Sequence, residues 1–484
     1  MTNGPTSTPA TSTRPPEHDS AAALPLEPRD GNPLYVTGEY VALGGRRSLV
    51  TGALGATIVR LAIPAVASML LMTIFTSVDA FWVGTKIGSS GLAAVTASVF
   101  WIWLVISIAE MVSVGLTAVA ARRHGEGRHR EAARVAGEAL VLALGLGIAV
   151  AVAGRLVLPM LFVVMRTPSD VTALGVRYLG TFLLGAPLIF GFFVVDAAFR
   201  AAGDTRTPLL LLASSVAATM ILDPVLILGL AGAPTLGIAG AAIATITTRA
   251  LVFVLGLGIL RRRGMLVLEK PRHASLRSIV RVGLPTATTG VVFALIYVAI
   301  TRIATPFGTP ALAALGIGHR VESWLFMVGV GVGASVAAVV GQSLGAGDTA
   351  RAERAGWVSV SYVSLLGIAV FVLQLIFAEQ MAGIFTHDPL VIAEGARYLR
   401  IAAWSQLFIT AEIVLEGALG GAGATFPPMI TSTAITATRI PLAILAVSRW
   451  GTQGLWWTIS LTAVGRGIAM MALWRSGGWK HRSV

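Results

Sequence analysis

The sequence contains no cysteine, so it can form neither a disulfide nor a thiolate metal site. Charge is scarce as well: only 12% of the 484 residues are charged, against about 25% in ordinary soluble domains. The seven histidines include no HExxH pair, and no nucleophile stands beside a base in a pattern typical of catalysis. These absences exclude a disulfide-stabilised fold and argue against a water-soluble protein and against an enzyme.

Apolar residues, in contrast, are abundant. They make up 55% of the chain, and the mean hydropathy is +0.80. One membrane-spanning helix needs about 20 apolar residues, and runs this long satisfy their backbone hydrogen bonds in lipid only as helices. The sequence therefore predicts an all-α integral membrane protein with twelve spans, at about 57–84, 91–120, 135–158, 173–198, 208–230, 237–260, 280–304, 311–341, 355–378, 391–418, 428–448 and 453–474.

The net charge of +13 does not indicate a nucleic-acid partner, because the basic residues lie in short loops between apolar runs. When the loops are assigned alternately to two sides, one side collects most of the arginines, in the loops near residues 122–134, 200–206, 261–277, 351–354 and 480–482. The other side has only Lys86, Arg166 and Arg449. By the positive-inside rule, the basic side is cytoplasmic and both termini lie inside, as expected for a bacterial inner-membrane protein.

The two ends of the chain differ from the rest. Residues 1–50 are rich in Pro, Thr and Ser and lack both a continuous apolar run and the apolar region of a signal peptide. We expect them to form a disordered cytoplasmic tail. Residues 475–484 are expected to form a short basic tail.

An internal repeat organises the apolar region. A sequence offset of 220 places Gly125 on Gly345, Arg134 on Arg354 and Pro208 on Pro428, and an offset of 221 places Pro64 on Pro285. This pattern predicts a duplication of six helices, with an N-lobe at 51–260, a linker at 261–278 and a C-lobe at 279–474. Since six is even, the halves have parallel topology, and a cleft between two lobes suits a transport route.

Two aspartates lie inside predicted spans, Asp79 near the outer end of helix 1 and Asp223 in helix 5, just before Pro224. A charge at the bilayer centre costs at least about 2.5 kcal/mol, and neither aspartate has an acid at its matching position in the second half. Asp79 could be satisfied by the Thr76 hydroxyl. Alternatively, two carboxyls that repel each other in a low dielectric favour uptake of a proton or Na⁺.

Other charges within spans are less specific. Glu110, Glu412 and Glu416 have no local partners and are expected to line a cavity that attracts cations. Asp196 and Arg200 are spaced to pair along one helix. Arg249 and Arg466, which fall at matching places in helices 6 and 12, are expected to serve the scaffold.

Five motifs together resemble the multidrug and toxic compound extrusion (MATE) family over nearly the whole chain after the tail. The motifs are Leu61-Ala-Ile-Pro64, Val78-Asp79-Ala-Phe-Trp-Val-Gly84, Arg200-Ala-Ala-Gly203-Asp204-Thr-Arg-Thr-Pro208, Leu222-Asp223-Pro224 and Gly237-Ile-Ala-Gly240-Ala-Ala-Ile-Ala-Thr245. The resemblance implies a V-shaped pair of six-helix lobes that exports drug-like or cationic organic compounds by alternating access, driven by H⁺ or Na⁺.

Among MATE proteins, the chain is most similar to the DNA-damage-inducible branch. That resemblance implies a coupling site at Asp79, Asp223, Thr219 and Thr245. Thr219 stands where family members often have Asn, and no acid occurs between Pro285 and Arg302, where the sodium-coupled branch has one. Both departures favour proton coupling. Na⁺ stays possible at Asp79 and Asp223, because their carboxylates and the two threonine hydroxyls offer hard oxygen ligands. Protonation of Asp79 is expected to bend helix 1 at Pro64, with Pro224 disrupting helix 5.

Several alternatives stay open at the level of the sequence. A lipid-linked oligosaccharide flippase of a related fold would be expected to carry a ring of bases facing its cavity, and the few bases within spans are partly paired by the repeat. A specialised metabolite exporter would look the same, and a channel or sensor is also compatible. We expect the lipid bilayer and a small organic substrate as partners, no cofactor other than the coupling ion, and a monomer.

Overall fold

The computed structural model describes residues 4, 49–87, 89–164 and 169–482. Most of the predicted tail, residues 1–50, therefore lies outside the described residues, as does the side chain of Asp79. Within the described ranges the regular structure is helical, without strands. The helices are α1 Leu54–Lys86, α2 Ser89–Gly125, α3 His129–Val164, α4 Ser169–Leu184, α5 Ala186–Ala201, α6 Arg206–Leu228, α7 Ile238–Arg262, α8 His273–Ala304, α9 Gly308–Gly345, α10 Thr349–Gly383, α11 Pro389–Ala403, α12 Gln406–Gly421 and α13 Phe426–Arg475.

Two of the predicted spans are bent. The span at 173–198 consists of α4 and α5, which meet at 52°, and the span at 391–418 consists of α11 and α12, which meet at 57°. The breaks fall at Gly185 and Ser405, two positions that match at the offset of 220. The repeat therefore extends to the position of a helix break, as expected if both halves descend from one six-helix unit.

The last helix contains two spans. Its 50 residues would extend about 75 Å at 1.5 Å per residue, more than twice the hydrocarbon thickness. Gly451 interrupts it with φ 54° and ψ −141°. With nine single helices long enough to cross a membrane and two bent pairs, this break brings the described part of the chain to the twelve predicted spans.

The backbone at the Gly451 break shows how the internal repeat continues into the last span of each half. Gly237, which precedes α7, has nearly the same backbone conformation as Gly451, with φ 57° and ψ −134°. A Cβ added to Gly240 would lie 2.6 Å from the carbonyl oxygen of Leu226, and one added to Gly454 would lie 2.5 Å from that of Ala446. Leu226 and Ala446 match at the offset of 220, whereas the two pairs of glycines match at 214. The final span of each half therefore follows an offset of 214.

The helices pack through small residues. The largest buried cluster joins α2, α3, α5 and α7, and two others join α9, α10 and α12, and α8, α9, α11 and α13. Alanine is frequent in all three clusters. Small residues let helix backbones approach closely, which is how helices associate where lipid removes the hydrophobic drive. The first half is α1–α7 and the second half is α8–α13.

The halves meet closely where the basic loops lie. We define this basic end by the loops that follow α2, α5, α7, α9 and α12 and by the chain's two ends. There Gly125 packs on the carbonyl of Gln342, and Gly345 packs on the carbonyl of Arg122. Since positions 122 and 342 match at the offset of 220, as do 125 and 345, the two contacts are related by the repeat. Backbone touches backbone at this end of α2 and α9.

Two further segments are fixed at the basic end. The Arg351 guanidinium donates to the carbonyls of Leu49, Thr51 and Gly52 at 3.0 to 3.4 Å, so it holds the chain before α1 against α10. The segment between α7 and α8 lies along α3: Val267 N donates to Ala133 O at 3.0 Å. Both the start of α1 and the connection between the halves are thus tied to neighbouring helices.

Candidate functional site

Asp223 lies in the first half on α6, with Pro224 next to it inside the helix. Its side chain is only 1% exposed, and α6 is flanked by α1 and α7. Pro224 has no N–H to donate to the carbonyl of Met220, so that carbonyl loses its usual helical partner. A carboxyl group and a released carbonyl therefore lie on neighbouring turns of one span, as the sequence predicted for a cation or proton site.

Thr219 and Thr248 join α6 to α7 one turn before Asp223. Their hydroxyl oxygens are 2.6 Å apart, and both residues are buried. The Thr219 hydroxyl also lies 2.8 Å from the carbonyl of Ser215, and that of Thr248 lies 3.0 Å from the carbonyl of Ala244. Since Thr219 and Asp223 are spaced i,i+4, the hydroxyl pair and the carboxyl group lie on one side of α6.

The structure thus places Thr248, rather than Thr245, against Thr219. Thr245 is half-buried, and only its backbone carbonyl takes part, accepting from the Thr248 hydroxyl at 3.2 Å. The offset of 214 could have identified Thr248. It matches Thr248 with Thr462, and Thr462 contacts Arg439, which matches Thr219 at the offset of 220. The resemblance implies Thr245 instead, which is three residues before Thr248.

We expect Thr248→Val to lower the free energy of unfolding by about 1–2 kcal/mol, because it removes a buried hydroxyl pair. Thr245→Val should change it by no more than about 0.5 kcal/mol. Thermal unfolding in detergent, followed by tryptophan fluorescence, measures the difference. If Thr245→Val were the more damaging of the two, the hydroxyl pair would not be the contact that joins α6 to α7.

Asp79 lies near the end of α1, and its side chain is outside the described residues. One turn earlier, Phe75 packs against Leu212 and Val216 of α6. Position 79 is on the same face of α1 as Phe75, one turn further along, and Asp223 is about two turns beyond Val216. Position 79 is therefore on the helix adjacent to the one that carries Asp223, about one turn short of the depth of Asp223.

Pro64 lies buried within α1, as predicted for a bending point. The Ser68 hydroxyl donates to the Pro64 carbonyl at 3.0 Å, an i to i−4 bond of a kind that often bends helices. A Cβ added to Gly331 of α9 would lie 2.7 Å from the Cα of Val66. The segment just after Pro64 thus rests directly on the backbone of the second half.

The three glutamates predicted to line a cavity lie in different environments. Glu110 is exposed and Glu416 is half-buried. Glu412 is buried and accepts from Arg466 Nη1 at 3.3 Å and from the Ser432 hydroxyl at 3.4 Å. Its partner lies far along the chain on α13, so local spacing could not reveal it.

We expect Glu412→Gln to destabilise the protein by about 3–5 kcal/mol, because it leaves the Arg466 guanidinium buried without its carboxylate. The double variant Glu412→Gln with Arg466→Met should recover much of this loss. Thermal unfolding of the single and double variants in detergent measures both effects. A Glu412→Gln protein of unchanged stability with weakened export of cations would instead support the cavity role predicted from the sequence.

Glu322 on α9 forms a further polar cluster in the second half. It accepts from the Tyr398 hydroxyl at 3.2 Å, and the Tyr398 ring meets Trp456 edge to face, with 5.0 Å between centroids. The Trp456 indole N–H donates to Glu394 at 2.8 Å. These contacts join α9, α11 and α13 through side chains that no sequence motif linked.

Comparison with known proteins places these features in one family. The MatE family profile matches residues 64–225 and 285–445, one match in each half. The chain is 30% identical over 444 residues to the probable multidrug resistance protein NorM of Thermotoga maritima, covering 88% of this chain and 93% of that relative. It is 26% identical to the FAD transporter of Shewanella oneidensis, with coverages of 88% and 95%.

Solved structures agree in fold. The Vibrio cholerae MATE transporter VcmN in its bent form superposes with a TM-score of 0.81 at 21% identity, covering 89% of this chain and 99% of that one. A MATE protein in a straight conformation superposes with a TM-score of 0.82 at 23% identity, with coverages of 88% and 97%. The chain belongs to the MatE family and is a multi-pass membrane transporter of the MATE type, not an enzyme.

Proposed function

We propose that the protein exports drug-like organic compounds across the bacterial inner membrane by antiport with protons, through alternating access of its two halves. The observation that carries this proposal is Asp223, a carboxyl group 1% exposed inside a span of a MATE transporter. A carboxyl group inside a span is rare, and it marks a candidate site for the coupling proton. Asp79 is its proposed partner on α1.

The hydroxyl groups beside Asp223 support protons over Na⁺. A Na⁺ site needs several oxygen ligands. Thr219 and Thr248 already lie within hydrogen-bond distance of each other and of backbone carbonyls of their own helices, so a Na⁺ ion would have to compete with this hydroxyl pair, whereas a proton on the carboxyl group would not. Sodium coupling is the alternative, and the transport experiment must distinguish it from proton coupling.

The proposed cycle uses α1 as the moving element. Protonation of Asp79 from the outside removes a charge near the end of α1 and lets the helix bend at Pro64, which lacks one backbone bond. The basic end is the proposed cytoplasmic side by the positive-inside rule. Since the halves touch there through α2 and α9, we assign the structure to a state closed toward the cytoplasm.

A second candidate is export of one metabolite, such as a flavin nucleotide, and the observation in its favour is the similarity to the Shewanella oneidensis FAD transporter. A flippase for lipid-linked oligosaccharides is less well supported. The second-half arginines that could bind a pyrophosphate are engaged inside the protein, Arg466 with Glu412 and Arg439 with Thr462.

Transport by the purified full-length protein in liposomes tests the proposal. Ethidium and FAD are supplied separately under an imposed pH gradient, Na⁺ gradient or membrane potential. We expect the pH gradient to drive ethidium accumulation and the Na⁺ gradient at equal pH to have no effect. Accumulation driven by Na⁺ alone would overturn proton coupling, and movement that only dissipates gradients would indicate a channel. FAD accumulation without ethidium accumulation would support the second candidate.

A further inference from the structure

Arg249 is a buried cation in the first half. It follows Thr248 on α7 and is 6% exposed. Its guanidinium carbon lies 4.9 Å from the ring centroid of Phe192 and 5.7 Å from that of Phe75, and its Nη2 lies 2.8 Å from the sulfur of Met72. Among the described residues, Nη1 has no hydrogen-bond partner and no carboxylate forms an ion pair with Arg249.

The second half also contains an arginine beside an aromatic ring, but there the arginine has a carboxylate partner. Arg466 lies 5.8 Å from the ring centroid of Phe293 and 3.3 Å from Glu412. Phe293 matches Met72 at the offset of 221, and Glu412 matches Phe192 at 220. The position that supplies a carboxylate to the arginine of the second half therefore holds a phenyl ring in the first.

The arginines themselves are not at equivalent positions. At the offset of 214, Arg249 matches Ala463, so Arg466 stands one turn further along its helix. Both side chains nevertheless contact residues at the same two repeat-related positions. One of these positions is on the first helix of its half, and the other is on the bent span of its half. This geometry does not support the expectation that Arg249 and Arg466 serve the scaffold in the same way.

The aromatic rings and Asp196 do not fully compensate the charge of Arg249. Rings at these distances offer a cation–π attraction, which offsets only part of the cost of burying a guanidinium. Among the acids that the structure describes, Asp196 on α5 is already held by Arg200, with 2.7 Å between Oδ2 and Nη2. Arg249 thus retains an unused donor and a buried positive charge beside the Thr219 and Thr248 pair.

We propose that Arg249, Phe75 and Phe192 bind aromatic substrates that carry an anionic group. The guanidinium receives a carboxylate through its unused donor, and the two rings pack on the aromatic part. The inference rests on the proposed export function and deepens it, since it assigns a substrate class. Met72 and Phe75 lie on α1 beyond Pro64, so bending of α1 opens or closes this site.

A matched pair of dyes tests the inference. Rhodamine 110 carries a free carboxylate, and rhodamine 123 is its methyl ester. Binding is measured by fluorescence anisotropy with the purified protein in detergent, without any gradient. Arg249→Gln should weaken binding of rhodamine 110 by about tenfold or more and leave that of rhodamine 123 within about twofold. The control Arg302→Gln, at an exposed position of α8, should change neither.

Phe192→Glu provides a second variant that is independent of losing the arginine. It supplies a carboxylate to Arg249, as Glu412 does to Arg466, so it should satisfy Arg249 internally and keep the protein folded. Because it also removes one of the two rings, both dyes should bind more weakly, rhodamine 110 by a clearly larger factor than rhodamine 123. Equal losses for both dyes in Arg249→Gln and Phe192→Glu would show a structural role and overturn the proposal, as would wild type that binds the ester but not the acid. Failure of export itself would appear separately, as binding of both dyes without accumulation in liposomes.

Discussion

Replacing Asp223 by asparagine should reduce gradient-driven export to the background of protein-free liposomes while leaving the protein folded. Asparagine has the size of aspartic acid but cannot exchange a proton, so it fixes the site in its neutral form. Because Asp223 is 1% exposed within a span, asparagine keeps the volume of the buried side chain and leaves no cavity. We therefore expect the variant to unfold in detergent near the wild-type temperature.

The matched control is Asp204→Asn. Asp204 lies at the basic end, where it accepts from the Thr207 amide at 3.0 Å and from Arg263 at 2.8 Å. Loss of this carboxylate should leave coupling intact. Asp79→Asn is expected to behave like Asp223→Asn. Full pH-driven accumulation by the Asp223→Asn protein, measured in the same liposomes, would contradict the proposed coupling site.

The positions of the spans follow from the sequence because apolar length decides them. Each of the twelve predicted runs coincides with a helix, a bent pair of helices or one side of the Gly451 break. The bends at Gly185 and Ser405 could not be predicted, because neither residue interrupts the apolar run. Hydropathy does not report where a helix bends, even though Pro187 stands at the start of α5.

The candidate site could be predicted only in part, because some of its residues matter only through contacts between helices. Asp223 is conspicuous in the sequence because a charge within a span is rare, and Pro64 because it interrupts helical hydrogen bonding; Thr219 is indicated only by the family resemblance. Thr248 is an ordinary residue of α7, and although Arg249 is a charge within a span, its role depends on what α5 and α1 place beside it. Glu412 shows the converse, since a carboxylate without a local partner pairs with Arg466 across the bundle.

A second large effect is expected at the basic end. The proposed alternating access requires α2 and α9 to separate there, and the contacts between them allow no side chain. A Cβ on Gly345 would overlap the Arg122 carbonyl and lie 3.0 Å from the amide nitrogen of Glu126. A Cβ on Gly125 would overlap the Gln342 carbonyl. Since a backbone atom cannot rotate away as a side chain can, the helices themselves must move apart.

Gly345→Val should therefore hold the protein open at the basic end. Overpacking costs about 1–3 kcal/mol, which shifts a two-state population by about five- to 150-fold. The chain has no cysteine, so Ala121→Cys introduces a single thiol, at a buried position of α2 against Gly341. A membrane-impermeant maleimide added at the cytoplasmic face should label it in the Gly345→Val background and not otherwise.

Gly258→Val is the control that separates this effect from the general cost of a larger residue in a helix. A Cβ at Gly258, on α7, would meet no atom within 4 Å, so this variant should leave the Ala121→Cys thiol protected and export unchanged. Gly345→Val, in contrast, should stop export, because the closed state can no longer form. If the thiol stayed protected in a folded Gly345→Val protein, the paired glycines would not control closure. If it became accessible while export continued, separation of α2 and α9 would not be the step that alternates access.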